Sequence, residues 1–536
     1  MPTCSARCAA ALAVAVGALV LASAPAAAQD RPSEEDLFGA PPREPPAKTE
    51  PSPGKPEPSR AAPEESSRPE ESQLFGAPPA AQAAPRPPQG IMSREREDAL
   101  RIGGQLYLRA QTQFRQDVAA GDAGLSSPNL LDVYLDARPN DRVRGFVLGR
   151  LSYDPTLAPP GTVPASGSTL ASLASSFGRT TANPSAVLDQ LWVNFDVGRR
   201  VFVTAGRQHA KWGVGHFWNP TDYLHPVKRD PLQVFDVRTG TTMVKVHLPW
   251  ESRGWNAYGV AMLEDVSGDT REATNRIGRV ATGGRAEIVL GTVELGADAL
   301  SQNGHRPRFG VDVSAGVWDL DLYAEAALRT SVDTPRWRLA PATLENPLGI
   351  VRDDPIGWTP QVTVGGSWSV KYSDEDVVTF GAEYFYDRSG YESAGIYPRL
   401  LGVAALGPLP SPLPAPFPAG APNAYSGQPS PFTPFYLGRQ YGGAFVSLPK
   451  PGSWNDTTFT LSVLANLSDR TFIARLDHSV LALTYLRVET FLAGTFGERD
   501  GEFRLGFAIP AGQLGPAAIV VPPMVFQAGA ALRVSL

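Results

Sequence analysis

GQLYLRAQTQFRQ, residues 104–116, decides the fold. In an extended chain Leu106, Leu108, Ala110, Thr112 and Phe114 fall on one face, and Gln105, Arg109, Gln111, Gln113 and Arg115 on the other. The same period of two returns in LLDVYLDAR (130–138), DLDLYAEAALR (319–329), QVTVGGSWSVK (361–371) and MVFQAGAALRVSL (524–536). A half-buried soluble strand also alternates, but it averages about five or six residues. Many strands here run well past that, towards the roughly 9–11 residues of a tilted membrane strand. Charge sits mid-strand on the polar faces and is nearly absent from the opposite faces, as a water-filled lumen inside an apolar belt requires.

Connection lengths alternate as well. Even-to-odd connections are short, near Asn140, Gly198, Pro249, Gly291, Asp319, Asp374, Gly452 and Leu486. Odd-to-even connections are long, at 154–185, 208–240, 264–280, 331–358, 388–437 and 497–522, with brief ones near Asn303 and Ser468. The pattern predicts an all-β, transmembrane, antiparallel up-and-down β-barrel of about 18 strands. A different division of residues 470–496, with EFRLGF (502–507) read as loop, gives 16. An even count places both ends and the short turns in the periplasm.

Composition bounds the rest. Arg7, the apolar run CAAALAVAVGALVLA and the small residues of SAPAAAQD predict a secretory signal over residues 1–28. Cys4 and Cys8 both lie inside it, which leaves the mature chain without a disulfide or a thiolate metal site. Residues 31–90 hold 16 of the 52 prolines, so 29–93 reads as a disordered Pro-rich periplasmic tether ahead of a barrel over 94–536. RPSEEDLFGAPP from Arg31 and RPEESQLFGAPP from Arg68 repeat within it. Their Leu37-Phe38-Gly39 and Leu74-Phe75-Gly76 read either as short motifs for a periplasmic protein or as a slipped duplication. The expected location is the outer membrane of a Gram-negative cell, with lipid and the barrel-assembly machinery as partners and no nucleic acid.

The long connection after the fifth strand, GRQHAKWGVGHFWNPTDYLHPVKRD from Gly206, is the densest in chemistry. Gly206, Arg207, Gln208, Trp212, Gly213, Asn219, Pro220 and Asp222, with the late stretch NLSDRTFIARLDHSVLALTYLRVETFLAGTFGERDGEF, resemble porin-type outer-membrane barrels, those of alginate-export-like families included. The chain departs from them at its end, Leu536, where such barrels end in an aromatic. The resemblance implies that the third outer loop folds inward and narrows the pore. Arg207, His209, Lys211, His216, Asp222, Lys228 and Arg229 would then face the path, and Trp212, Phe217, Trp218 and Tyr223 would offer flat faces to a sugar ring. An aromatic loop folded on itself above the barrel is the plainer alternative.

His209, His216 and His225 with Asp222 have metal-ligand chemistry, but their spacing matches no compact motif. No metal or other cofactor is expected. No nucleophile or paired carboxylates with a base stand together, so no enzyme activity is expected. Along the wall, Arg109, Arg115, Arg142, Arg144 and Arg150 fall on the first three strands, and Asp312, Asp319, Asp321 and Glu325 on the tenth and eleventh. Walls of opposite sign would favour polar solutes. Three functions stay open: a porin-like channel, a conduit for polysaccharide export or secretion recruited through the tether, and a structural or adhesive barrel favoured by the Pro-rich loop near Pro414.

Overall fold

The computed structural model describes residues 99–157, 183–225, 228–233, 236, 238–266, 274–330, 336–343, 346, 349–353, 357–373, 376–400, 435–509 and 519–535. The signal, the tether with both Leu-Phe-Gly motifs and the loop near Pro414 lie outside them. Eighteen long strands form one closed antiparallel sheet. They are β1 (Leu100–Arg115), β2 (Asn129–Asn140), β3 (Val143–Tyr153), β4 (Ser185–Val197), β5 (Val201–Gln208) and β6 (Thr241–Trp250). Next come β7 (Trp255–Met262), β8 (Ala281–Leu290), β9 (Val293–Ser301), β10 (Arg308–Val317), β11 (Leu320–Thr330) and β12 (Trp358–Lys371). The last are β13 (Val377–Asp387), β14 (Gln440–Pro449), β15 (Thr457–Asn466), β16 (Thr471–Leu483), β17 (Leu486–Gly497) and β18 (Met524–Ser535). Each strand pairs with the next, and β1 closes on β18 from Gln105↔Ser535 to Phe114↔Phe526. The larger of the two strand counts is the one the chain adopts.

Closure follows from the solvent. Hydrocarbon offers no hydrogen-bond partner, so a sheet that spans it must pair every edge. The side chains sort accordingly: Leu106, Val133, Leu191, Val311, Val364 and Leu532 point outward and are exposed, while Asp132, Arg285, Glu325, Glu383 and Arg475 point inward and are buried. Exposed Trp250, Trp318, Tyr372, Trp454 and Tyr485 ring the short-turn end, and Tyr153, Phe309, Trp358 and Tyr384 lie towards the long-loop end. These are the two interfacial girdles of a transmembrane barrel. The turns are as short as Gly291-Thr292, where Gly291 takes the left-handed φ of +66° that lets β8 fold straight back into β9.

Lipid-facing and lumen-facing positions alternate, so their tolerances must differ. Leu461 is outward and mid-strand on β15, and Thr460 beside it is inward. Leu461→Arg should destabilise the barrel by about 2–4 kcal/mol, while Thr460→Arg should be tolerated. Urea titration in lipid vesicles, read by heat-modifiable gel mobility, checks this.

Candidate functional site in the barrel lumen

The chain from His209 to Gly240 leaves β5 and returns as β6, and its described residues bond strands far around the barrel. An irregular segment has backbone amides with no ladder to join, and the inner wall must supply acceptors. Two buried carboxylates do so. Glu325 on β11 accepts from the amides of Val214 (3.0 Å), Gly215 (3.0 Å) and Thr221 (2.6 Å). Glu383 on β13 accepts from those of His216 (2.7 Å), Phe217 (3.1 Å) and Trp218 (2.7 Å), and from the Tyr323 hydroxyl (2.7 Å). Each carboxylate thus fills most of its lone-pair sites with charge-assisted bonds. Gly213, at φ +86°, has no room for a side chain: a Cβ would run into Asn219 Oδ1, Thr221 Oγ1 and Glu325 Oε2.

Apolar packing fastens the same loop. Trp218, wholly buried, stacks on Phe385 at 6.0 Å and lies 5.6 Å from Tyr441, while its indole N–H donates to the Phe435 carbonyl. Trp212, Tyr223 and Leu224 join Met243, Met262 and Leu300 in a second cluster. Tyr223 donates to Phe309 O, Tyr436 to Phe217 O and Arg329 to Pro220 O. Trp212, Phe217, Trp218 and Tyr223 are therefore wall anchors with no face free for a sugar, because burying them against β13, β14 and the outer ends of β6–β7 outweighs exposing them in the lumen.

The remaining residues expected in this loop divide. Arg207 is not in the path: it pairs in register with outward Leu191, and its guanidinium bonds Gly240 O on the outer side of β5. Lys211 reaches Gly215 O. His216 stacks on Phe445 at 4.5 Å, away from the other two histidines. Those two form a chain: Asp189 Oδ1 meets His209 Nε2 (3.1 Å), His209 Nδ1 meets His225 Nε2 (3.3 Å), and His225 Nδ1 meets Asp222 Oδ1 (3.3 Å). Arg238 joins Asp222 to Asp236. Burial alone would raise the Asp222 carboxyl, but His225, Arg238 and Lys228 outweigh it and hold it below the usual range. Burial and Arg329 push the Lys228 ammonium well down, against Asp222 and Glu325; it donates to the Asn219 and Asp222 carbonyls. Burial raises the neighbouring Asp230, which Arg475, Arg109 and Arg229 oppose. Among the described residues no group of three or more His, Cys, Asp or Glu side chains is arranged to hold a metal.

On the wall, charges are matched strand to strand. Arg150 pairs with Asp132 (2.8 Å) and Asp189 (3.5 Å), Arg144 with Asp136 (2.8 Å), and Arg142 with Asp196 (3.0 Å). Arg115 donates to Pro522 O. Across the barrel Asp312 and Asp298 share Arg285, and Glu325 is occupied by the loop, while Asp319 and Asp321 stay exposed near the short-turn rim. The expected contrast of sign between the two walls is thus balanced locally. The aspartates of β2 were the missing half, and they stand in the same hairpin, with Asp132 directly opposite Arg150. A further group of arginines lines β16, β17, β18 and β1: Arg475 and Arg109 lie over the Phe491 ring at 4.2 and 5.0 Å, with Arg487 and Arg533 below. Between this wall and Pro231-Leu232-Gln233 of the loop lies a cavity of about 60 Å³, bordered by Thr460, Ser462, Asp477, Glu489 and Arg533.

Three outer segments meet behind the loop. Glu502 accepts from the Phe435 amide (2.6 Å), the Tyr441 hydroxyl (2.7 Å) and Asn466 Nδ2 (2.8 Å). Phe435 thereby links Glu502 to the Trp218 indole.

No family model and no curated protein matches the sequence. Among solved structures it is similar to OccK11 (OpdR) of Pseudomonas aeruginosa, at 8% identity over 82% of this chain and 96% of that one, with a TM-score of 0.42. It is similar also to the outer membrane protein opdK of the same organism, at 10% over 81% and 98%, TM-score 0.42. A triple mutant of the Rhodopseudomonas blastica porin matches at 10% over 82% and 100%, TM-score 0.36. Likenesses this distant carry nothing about cargo.

Two outcomes follow from the anchors. Glu383→Ala leaves three buried amides without an acceptor, at about 1–3 kcal/mol each, so the loop should be cut faster in limited proteolysis while the barrel keeps its heat-modifiable mobility. Burial and Asp469 push Glu502 up to about 8. A raised carboxyl favours the folded loops in its neutral form, so their packing should weaken as pH rises through about 8. Hydrogen exchange at 435–439 and 501–505 should quicken between pH 6 and 9 beyond the intrinsic base-catalysed rise, and Glu502→Gln should remove that excess.

Proposed function

We propose that this porin-type outer-membrane β-barrel is a channel for polar solutes, narrowed by the loop at 209–240. The observation that carries the reading is the pair of lumenal carboxylates, Glu325 and Glu383, which take six amides of that loop from the far side of the barrel. Held there, the loop packs two apolar clusters against the wall, one towards β6–β11 and one reaching from β13 to β17, and a gap of about 60 Å³ remains between Pro231-Leu232-Gln233 and the polar residues of β15–β18. That margin carries Arg109, Arg475, Arg487 and Arg533 against Asp477, Glu489 and the loop's own Asp230. Charges so nearly matched keep a narrow gap wet without committing it to ions of one sign, which suits hydrated solutes and excludes apolar ones.

Replacing residues 212–233 with a short Gly-Ser bridge should raise single-channel conductance severalfold in planar bilayers, with only weak ion selectivity before and after. An unchanged conductance in a properly folded barrel would place the limiting constriction elsewhere.

A further inference from the structure

The inner wall is not uniform. On six consecutive strands its periplasmic half carries one ring each: Tyr134 on β2, Phe146 on β3, Trp192 on β4, Phe202 on β5, His247 on β6 and Tyr258 on β7. All six share a face with lumenal partners by register, and all are half-buried. Tyr134, Phe146 and Trp192 lie 5.9 and 5.4 Å apart, nearly parallel at 21° and 23°. Phe202, His247 and Tyr258 lie 6.0 and 4.5 Å apart. Near-parallel rings separated by 5.4–5.9 Å are offset rather than eclipsed, so each covers only part of the next, and the side chains of all six residues stay part-exposed. At the same height β12–β15 present Ser367, Ser369, Thr379, Ser447, Thr458 and Thr460 instead.

A water-filled lumen has no need of apolar faces, and exposing them is unfavourable unless something covers them. Polar groups flank the rings at their edges. Trp192 donates to Gln190 (3.0 Å), Asn194 Nδ2 donates to Thr204 (2.8 Å) between the two runs, Asn256 meets His247 (2.9 Å), and Glu287 accepts from Tyr258 (3.3 Å). The Arg144 guanidinium lies 5.4 Å over Trp192 while paired to Asp136. Flat apolar faces bordered by planar donors and acceptors match one class of solute, a chain of pyranose rings, whose C–H faces stack and whose hydroxyl edges hydrogen-bond.

We infer that β2–β7 form a binding track for neutral oligosaccharides. This rests on the channel reading and names a solute class for it. The loop aromatics are spent as anchors, so the track lies on the wall below them.

The test uses the full-length barrel, with maltohexaose, cellohexaose and chitohexaose as probes and a polyethylene glycol of similar mass as a size control. Titration in detergent, followed by tryptophan emission and calorimetry, should show saturable binding of at least one hexasaccharide and none of the polymer. In planar bilayers the same sugar should interrupt the open-channel current. Trp192→Ala should weaken binding about two- to tenfold, Trp192→Phe should recover most of it, and Val193→Ala on the lipid face should behave as the wild type. Heat-modifiable mobility confirms that each variant is folded. A barrel that conducts but binds none of the three sugars, or binds the polymer equally well, overturns the track alone. A barrel that binds sugar yet passes no current overturns the channel reading alone.

Discussion

Unpaired backbone amides are intolerable in hydrocarbon, and that constraint organises the molecule twice. In the wall it forces closure, met by the ladder from Gln105 to Phe114 against β18. Inside, it returns in another form. A loop crossing a crowded lumen leaves bulk water just as a strand does, but without a neighbouring strand to pair with. Glu325 and Glu383 stand in for that missing strand, Glu383 collecting three consecutive amides and Glu325 two neighbouring ones and that of Thr221. Removing either carboxylate would cost more than a local contact, since Trp218, Phe217 and Tyr223 are seated by the same arrangement.

Charge on the inner wall obeys a related economy. Lumenal arginines are common, yet those of β3 face aspartates of β2 and β4, and Arg285 holds the carboxylates of Glu287, Asp298 and Asp312. Pairing within a hairpin fixes each guanidinium in place and leaves little field to span the barrel. The β16–β18 margin beside the cavity follows the same rule, with Arg475 paired to Asp477 and Arg533 to Glu489.

Strand parity was legible because the side-chain period is two and the lipid-facing positions are apolar along most of each strand. Alternation and connection length gave 18 or 16 strands and the alternation of long and short connections, and the closed sheet has 18. Arg207 was legible in principle, since VFVTAGRQ places it with Val201, Val203 and Ala205 on the apolar face, but its basic character drew it into the loop. The pairing of Asp132 with Arg150 also stood in the sequence, one hairpin apart. The acceptor role of Glu383 did not. In GAEYFYD it reads as an ordinary inward residue, and its partners lie more than 160 positions earlier. Likewise nothing in the neighbouring residues says what the Trp218 indole packs on: Phe385 and Phe435 lie more than 160 positions later.

The anchoring of the third loop also fixes an order of events in time. Its two carboxylate acceptors stand on β11 and β13, so a chain that has laid down only its first six strands cannot make those six amide bonds. Trp218 finally rests beneath Phe435 and Tyr441, which belong to the last third of the sequence. The segment therefore takes its final seat only after β11, β13 and β14 have joined the sheet. Assembly is in this sense a packing problem with a sequence: the strands that hold the segment come after it in the chain, and its seat is complete only when they are in place.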